Sequence, residues 1–470
     1  MSSYTNDTIA GIATPTGGGV GGGIGIVRLS GMDALITGLK AFKFKHNVKK
    51  PRNRVLHFGH VMDDGTVIDE ALFVYFPAPA TYTCEDVVEI HCHGGAQSLR
   101  RVFAVLLKNG ARPAEPGEFT KRAFLNGRID LARAEAVMDV ISAGSEKALI
   151  LAGKTLEGRL STAVEELYND LTIEAAAIEF YLDNASHPFG EIENEPAASP
   201  TYPNLNSIYD RLDNLCNTYN TGRIIKDGIQ TAIIGRPNVG KSSILNALAG
   251  TERAIVTDIP GTTRDVLNEN IILYGESYGN ITLNISDTAG IRNDANETVE
   301  EIGISRAIKS AETAELILFV YDGAAGFTPE DLDVFNITQN LSAQLICIKN
   351  KADLPQIPDT ASIDISPISI SAKTNSGFDA LYTEIGNVFN INSKTVSEES
   401  VIITNERHYR LLRNALSNLS AAIHSISSGM TEDLTVMDIQ EAAANLGEII
   451  GKNVSEDLID TIFSKFCVGK

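Results

Sequence analysis

Gly235-Arg236-Pro237-Asn238-Val239-Gly240-Lys241-Ser242 fits the pattern of a phosphate-wrapping loop, after a predicted strand and before a predicted helix. Its glycines let backbone N–H groups close around a β-phosphate, and the helix N-terminus adds its positive end. Lys241 is expected to bridge the β- and γ-phosphates, and Ser242 to ligate Mg²⁺. Asp287-Thr288-Ala289-Gly290 ends the next predicted strand; an acid there reaches the metal through water, and the Gly290 amide meets the γ-phosphate. Asn350-Lys351-Ala352-Asp353 lies just past a predicted buried strand. The Asp353 carboxylate accepts from guanine N1–H and N2–H₂, and adenine would leave it unpaired, which supports discrimination of roughly 10⁴ or more. Ser371-Ala372-Lys373 adds a backbone donor for guanine O6. Four segments in this order predict a GTP site.

The group that would position water is less direct. Many GTPases carry Gln directly after the Asp-x-x-Gly segment. Here that position is Ile291, which cannot hydrogen-bond, so the candidates are Arg292, Asp294, Glu297, Glu300 and Glu301. No arginine finger is identifiable in cis. A cation could serve instead, with Asn238, at the loop position facing the phosphates, as a ligand.

The elements that must carry these segments follow from the apolar pattern. Residues 8 to about 126 read as mixed α/β, with strands at Ile24–Leu29 and Ala71–Phe76. Leu131, Ala134, Val137 and Ile141 recur at helical spacing, and helical sequence runs to about Asp183. A proline-rich loop follows, with Pro188, Pro196, Pro200 and Pro203, and then one helix near 207–220. From Ile229 to about 390, short apolar runs (Ala232–Ile234, Glu315–Tyr321, Leu345–Ile348) suit the buried strands of a parallel sheet. After Lys394 the sequence is helical again. The fold expected is multidomain α/β plus α: a P-loop domain with a parallel sheet inserted into a helical domain and preceded by an α/β domain.

Composition narrows the class. The 470 residues are 43% hydrophobic and 21% charged, enough for about three domains. No apolar run approaches the roughly 18 residues of a membrane helix, and the first basic residue is Arg28, so neither a span nor a secretory or transit leader is expected. The five cysteines, at 84, 92, 216, 347 and 467, form no CxxC pair, which argues against a disulfide framework or a structural zinc site and for a cytoplasmic protein. Sixty acids against 39 bases give a net charge of −21, which would repel RNA unless a local patch or a partner compensates. One patch exists: Lys40, Lys43, Lys45, Lys49, Lys50, Arg52 and Arg54, with Phe42 and Phe44 between them. It reads either as a phosphate-holding, base-stacking surface or as a solvated loop with two core phenylalanines. His91-Cys92-His93 has metal-ligand types, but in a strand Cys92 points away from both histidines, and Gly94-Gly95 suggests a structural turn.

Gly261-Thr262-Thr263-Arg264-Asp265, the Asn-containing phosphate loop and the C-terminal Phe466-Cys467-Val468-Gly469-Lys470 together resemble the tRNA modification GTPases of the MnmE (TrmE) type. Asp7-Thr8-Ile9-Ala10 and Arg28-Leu29-Ser30-Gly31 resemble that family's opening. Pro116-Gly117-Glu118-Phe119 and Arg122-Ala123-Phe124-Leu125-Asn126-Gly127 resemble its hinge into the helical domain. The resemblance implies a folate-binding and dimerisation domain at 1–126, a helical domain at 127–226 and 393–470, and a GTPase domain at 227–392. It implies that Asn238, Val239, Gly240, Lys241, Ser242, Ser243, Thr257, Asp258, Ile259, Pro260, Gly261, Thr262 and Thr263 line GTP together with the three later segments. Asn238, Thr257, Thr262 and the Ile259 carbonyl would hold K⁺; Ser242 and Thr263 would hold Mg²⁺. Glu300 takes the catalytic position beside Lys241, orienting water indirectly.

The resemblance further implies a homodimer and a flavin-dependent partner forming a heterotetramer with it. The substrate would be tRNA, modified at C5 of the wobble uridine, with 5-formyltetrahydrofolate as the one-carbon donor held by Arg28, Glu89, Arg128 and Lys470. This chain departs from the family in its glycine-rich 17–25 stretch, the proline-rich 187–205 segment, Glu115 where Arg is frequent, Arg128 where Lys is common, and Val468 where Ile is common. Cys467 admits two roles: a thiolate adding to uracil C6, or packing between Phe466 and Val468. A ribosome-assembly GTPase and a GTP-dependent scaffold are the alternative functions.

Overall fold

The computed structural model describes residues 7–15, 22–46, 48–186, 204–250, 254–256, 269–273, 280–285, 311–359, 365–389, 400–467 and 469. They fall into two compact units, Met1–Met138 with Gly447–Lys470, and Asp139–Leu446.

The first unit is built on a seven-stranded sheet of β1 (Ile9–Ile12), β2 (Ile24–Ser30), β3 (Phe42–Phe44), β4 (His57–Asp63), β5 (Thr66–Phe76), β6 (Val87–His93) and β7 (Arg112–Pro113). Its order is β3-β4-β5-β6-β2-β1-β7. Every pairing is antiparallel except β1 with β7. The Ala96–Lys108 helix buries Leu99, Val102, Val105 and Leu106, spaced three or four apart, in the core beside Val27, Leu29, Val88 and Ile90 of the sheet. The C-terminal Glu456–Ser464 helix belongs to this unit: Phe463 and Phe466 are buried with Ala123, Leu131 and Ala134. Beside them Arg112 and Arg122 grip the 2%-exposed Glu118, at 2.6 and 2.9 Å.

The second unit carries the Glu146–Glu157, Arg159–Ser186, Leu205–Asn217, Tyr219–Asp227 and Glu406–Ser427 helices and a second sheet. The single helix expected near 207–220 is two helices. The chain turns at Thr218, whose hydroxyl donates to Leu215 O at 2.7 Å and accepts from Ile403 N at 3.0 Å. The helices flanking the sheet in sequence pack on each other, with Tyr219 and Tyr409 stacked at 4.1 Å.

The second sheet comprises β8 (Ile229–Ile234), β9 (Ala254–Val256), β10 (Glu269–Leu273), β11 (Ile281–Ile285), β12 (Leu316–Asp322), β13 (Gln344–Asn350) and β14 (Ile368–Ser369), ordered β14-β13-β12-β8-β11-β10-β9. Five strands are parallel, but β10 is antiparallel to both β11 and β9, so the expected all-parallel sheet is mixed at one edge. The continuous apolar run of β12 serves both faces. Leu316, Leu318 and Val320 join the core that holds Ile244 and Leu381, while Ile317, Phe319 and Tyr321 join the one that holds Phe327 and Phe335. Strand order reverses at β8, with β11 on one side and β12 on the other, and ligands of open α/β sheets bind at the carboxyl ends beside such a reversal. No helix among the described residues is long and apolar enough to cross a membrane.

Candidate functional site

The phosphate loop stands at that reversal, between β8 and the Lys241–Gly250 helix. A Cβ at Gly235 would fall on the Val320 carbonyl oxygen, and one at Gly240 (φ 98°) on the Asn350 amide, so both positions require glycine. Asn238, at the turn, has φ 63°. Lys241 is buried and its Nζ donates to Arg236 O at 2.9 Å, across the mouth of its own loop, rather than standing in solvent. Arg236 is pinned in turn by Asp331, with Nε to Oδ1 at 2.6 Å and Nη2 to Oδ2 at 3.0 Å. Asp331 is fully buried and also closes the capping box with Thr328 at the start of the Pro329–Gln339 helix.

The base-reading segments converge on the same loop. Asn350 Nδ2 donates to Val239 O at 2.9 Å and its Oδ1 accepts from Ala372 N at 3.2 Å, tying the loop to the Ser371-Ala372-Lys373 turn. Lys351, at φ 63°, reaches Asn238 O at 3.1 Å and Asp322 Oδ2 at 2.6 Å. Ser371 Oγ donates to Asp353 Oδ1 at 2.7 Å, and that bond holds the Asp353 carboxyl below its usual range, so it is an acceptor at neutral pH. Asn238, Val239, Gly240, Lys241, Ser242, Ser243, Asn350, Lys351, Ala352, Asp353, Ser371, Ala372 and Lys373 thus stand on the segments that end or follow β8, β13 and β14, joined by these hydrogen bonds. Thr257, Asp258, Ile259, Pro260, Gly261, Thr262, Thr263, Asp287, Thr288, Ala289, Gly290 and Glu300 lie outside the described residues. Two acids escaped the sequence reading: Asp322, which anchors Lys351, and Asp331, which anchors Arg236. Only the position of Asp322 at the end of an apolar run could have flagged it.

A second site lies in the first unit. Arg28 on β2 and Glu89 on β6 are directly opposed in register, with Arg28 Nε and Nη2 each 2.9 Å from Glu89 Oε1. Burial opposes ionisation of Glu89, but the His91 hydrogen bond and the Arg28 charge outweigh it and hold its carboxyl below the usual range. The pair opens into a cleft of about 460 Å³ that Arg54, Phe76, Tyr82 and Arg128 also line. Arg128 lies over the Tyr82 ring at 4.7 Å and Arg54 over Phe76 at 5.6 Å. Arg28, Glu89 and Arg128 therefore share one cavity, while Lys470 is outside the described residues. Arg54 was visible in sequence only as the end of a basic stretch. Of that stretch's aromatics, Phe42 is buried in the core and Phe44 packs at 5.5 Å on Phe73, so they are core residues and not a base-stacking surface.

His91-Cys92-His93 lies on β6, with Cys92 buried against Gly25 O and His93 held by Asp69, and no metal-binding cluster occurs among the described residues. The glycines after it form the two-residue junction between β6 and the Ala96–Lys108 helix. Cys467 is exposed while Phe466 is buried, which does not match the packing role, one of the two it admits in sequence; Val468 lies outside the described residues.

A phosphate loop at the strand reversal, an Asn-Lys-x-Asp segment bonded to its backbone and a serine-anchored aspartate define a P-loop GTPase. The whole chain carries a more specific likeness. The family description "GTP-binding protein TrmE N-terminus" matches residues 8–128 and "MnmE helical domain" matches 131–467. The tRNA modification GTPases MnmE of Natranaerobius thermophilus and Finegoldia magna are each 41% identical to this chain, over 99% of it and 100% of their own length. This chain belongs to the MnmE family of tRNA modification GTPases. Among solved structures, Era of Aquifex aeolicus bound to GDP and AlF4⁻ matches over 40% of this chain and 65% of its own, at 23% identity and a TM-score of 0.24.

Proposed function

We propose that this chain is a K⁺-activated GTPase that, with a flavin-dependent partner, adds an aminomethyl-type group (carboxymethylaminomethyl) at C5 of the wobble uridine of certain tRNAs. The observation that carries the GTPase half is that Lys241, Asn350 and Lys351 all bond the backbone of one phosphate loop while Ser371 holds Asp353 as an acceptor. Likeness over the full length to tRNA modification GTPases supports the other half. The working form is a cytoplasmic homodimer that joins its partner as a heterotetramer. Its segments are 1–126 for folate and dimerisation, 127–226 and 393–470 for the helical domain, and 227–392 for the GTPase domain.

In this reading Lys241 leaves the Arg236 carbonyl to bind the β- and γ-phosphates, and Asp353 with the Ala372 N–H reads guanine. Ser242 and Thr263 would hold Mg²⁺, which neutralises charge on the bridging oxygens. Asn238, Thr257, Thr262 and the Ile259 carbonyl would hold K⁺, which supplies the positive charge an arginine finger gives elsewhere. The described donors, an amide oxygen at the loop apex and a hydroxyl on the first helical turn, are hard oxygens suited to both ions. Glu300 orients water where Ile291 cannot. In the first unit, the neutral Arg28–Glu89 pair and two further arginines fit 5-formyltetrahydrofolate, which would supply the one-carbon unit, and the family likeness makes Lys470 a further contact. The observations favour neither the ribosome-assembly nor the scaffold alternative.

Exchanging K⁺ for Na⁺ at constant ionic strength is expected to slow GTP turnover by about tenfold or more, and Glu300→Ala to slow it comparably in K⁺. Turnover indifferent to both would sink the K⁺-dependent mechanism.

A further inference from the structure

Among the described residues, the cleft holds two arginines that no carboxylate neutralises. Arg28 is paired with Glu89, and Arg112 and Arg122 share Glu118. Arg54 and Arg128 differ. Among the described residues neither meets a carboxylate: Arg54 donates to the Ala80 carbonyl and Arg128 to the Tyr82 carbonyl, at 3.2 Å. In a chain with 60 acids and 39 bases, two arginines that line one cleft and meet no acid among the described residues mark a place for a foreign anion.

Both are also held in position. Each guanidinium lies over an aromatic face and bonds a carbonyl of the same loop, so the two bracket the Ala80–Tyr82 segment. Arg54 adopts φ 59°, a backbone region unfavourable for a side-chain-bearing residue, and its N–H is fixed to Tyr75 O at 2.8 Å. The basic sequence does not begin there: Lys49, Lys50 and Arg52, two to five residues earlier, are all exposed. Lys49 is thus tethered within roughly 18 Å of Arg54 along the chain.

The cleft therefore has two chemically different parts. The Arg28–Glu89 pair offers a donor and an acceptor and no net charge, which suits the amide and amino edge of a heterocycle. Arg54 and Arg128 offer uncompensated planar donors, which suit carboxylates. Resting on the folate reading above, we propose that Arg54, with Arg128, receives the glutamyl carboxylates of the bound folate. Lys49, Lys50 and Arg52 extend that contact, so that the site prefers folates carrying several γ-linked glutamates.

Calorimetric titration of the full-length protein with three ligands tests this: 5-formyltetrahydropteroate, which lacks glutamate, 5-formyltetrahydrofolate, and its triglutamate. Affinity is expected to rise about tenfold at each step, and the gain to shrink as salt rises from roughly 0.05 to 0.5 M. Arg54→Gln should remove most of the gain from glutamate and leave pteroate binding as it was; Arg54→Lys should keep part of it. Melting midpoints of both variants check folding, and if Arg54→Gln melts early the ligand series on the unaltered protein decides alone. Equal affinity for all three ligands overturns the proposal and leaves the folate reading standing, as does an Arg54→Gln loss that is the same for each. Loss of tRNA binding by Arg54→Gln with the folate series intact assigns the arginine to RNA phosphate and also overturns it. No binding of any pteridine to the unaltered protein brings down the folate reading itself.

Discussion

Asp353 shows how much selectivity one side chain can hold once a neighbour fixes it. The Ser371 hydroxyl anchors one carboxylate oxygen and keeps the group ionised, so the fold holds a ready acceptor for guanine's N1–H and N2–H₂. Asp353→Asn keeps the size and replaces an acceptor with a donor. A donor clashes with guanine N2–H₂ but suits the carbonyl that xanthine carries at the same place. GTP affinity is expected to fall by about 100-fold or more and XTP affinity to rise, read by competition against a fluorescent nucleotide. An equal loss for both nucleotides would show that Asp353 supports the loop without reading the base.

Among the elements, the connection between the phosphate loop and the Pro329–Gln339 helix is the most exacting. Asp331 is fully buried, caps that helix and takes both arms of Arg236. Arg236→Ala leaves a buried carboxylate with only the Thr328 N–H and hydroxyl. The expected cost is about 2–4 kcal/mol in urea denaturation, with a coupling of about 1.5–3 kcal/mol in a double-mutant cycle with Asp331→Ala. Independent, additive losses would reject the clamp. This contact illustrates what the sequence hides. The phosphate loop, Asn-Lys-x-Asp and Ser-Ala-Lys were legible because each is a run of neighbours whose chemistry is local. Asp331 reaches Arg236 across 95 positions, and nothing in either neighbourhood announces it. The antiparallel edge of the second sheet was missed for a similar reason, since short apolar runs such as Ile271–Leu273 look the same in either direction. The break at Thr218 depends on a bond to Ile403, 185 positions away. Arg28 and Glu89 were placed by family likeness, and the register of β2 and β6 then explains their meeting. Arg54 entered the cleft unannounced, because strand β5 and the loop after it, not its own neighbours, bring Phe76 and Ala80 beneath it.

At the scale of the whole molecule, the chain's last residues complete a unit that its first residues begin. Residues 447–470 cluster with 1–138 rather than with the 308 residues between them. Phe463 is 1% exposed and packs at tilted angles between Phe124 at 6.4 Å and Phe466 at 5.0 Å, in a cluster with Ala123, Ile129, Leu131 and Ala134. Lys121 and Asp460 add an ion pair between the same two helices. If this closure holds the first unit together, its loss should be felt far away in sequence and nowhere in the second unit. Phe463→Ala removes a buried ring and leaves a cavity, at an expected cost of about 3–5 kcal/mol. In hydrogen exchange read by mass spectrometry, the Glu118–Leu125 helix should then lose protection by about 10²- to 10³-fold. Exchange in the Glu406–Ser427 helix and in β12 should stay unchanged, because they lie in the unit that Phe463 does not join. Protection lost evenly across both units would mean that the molecule unfolds as one body, and the tail would then be a brace for the whole chain rather than the closing piece of its first unit.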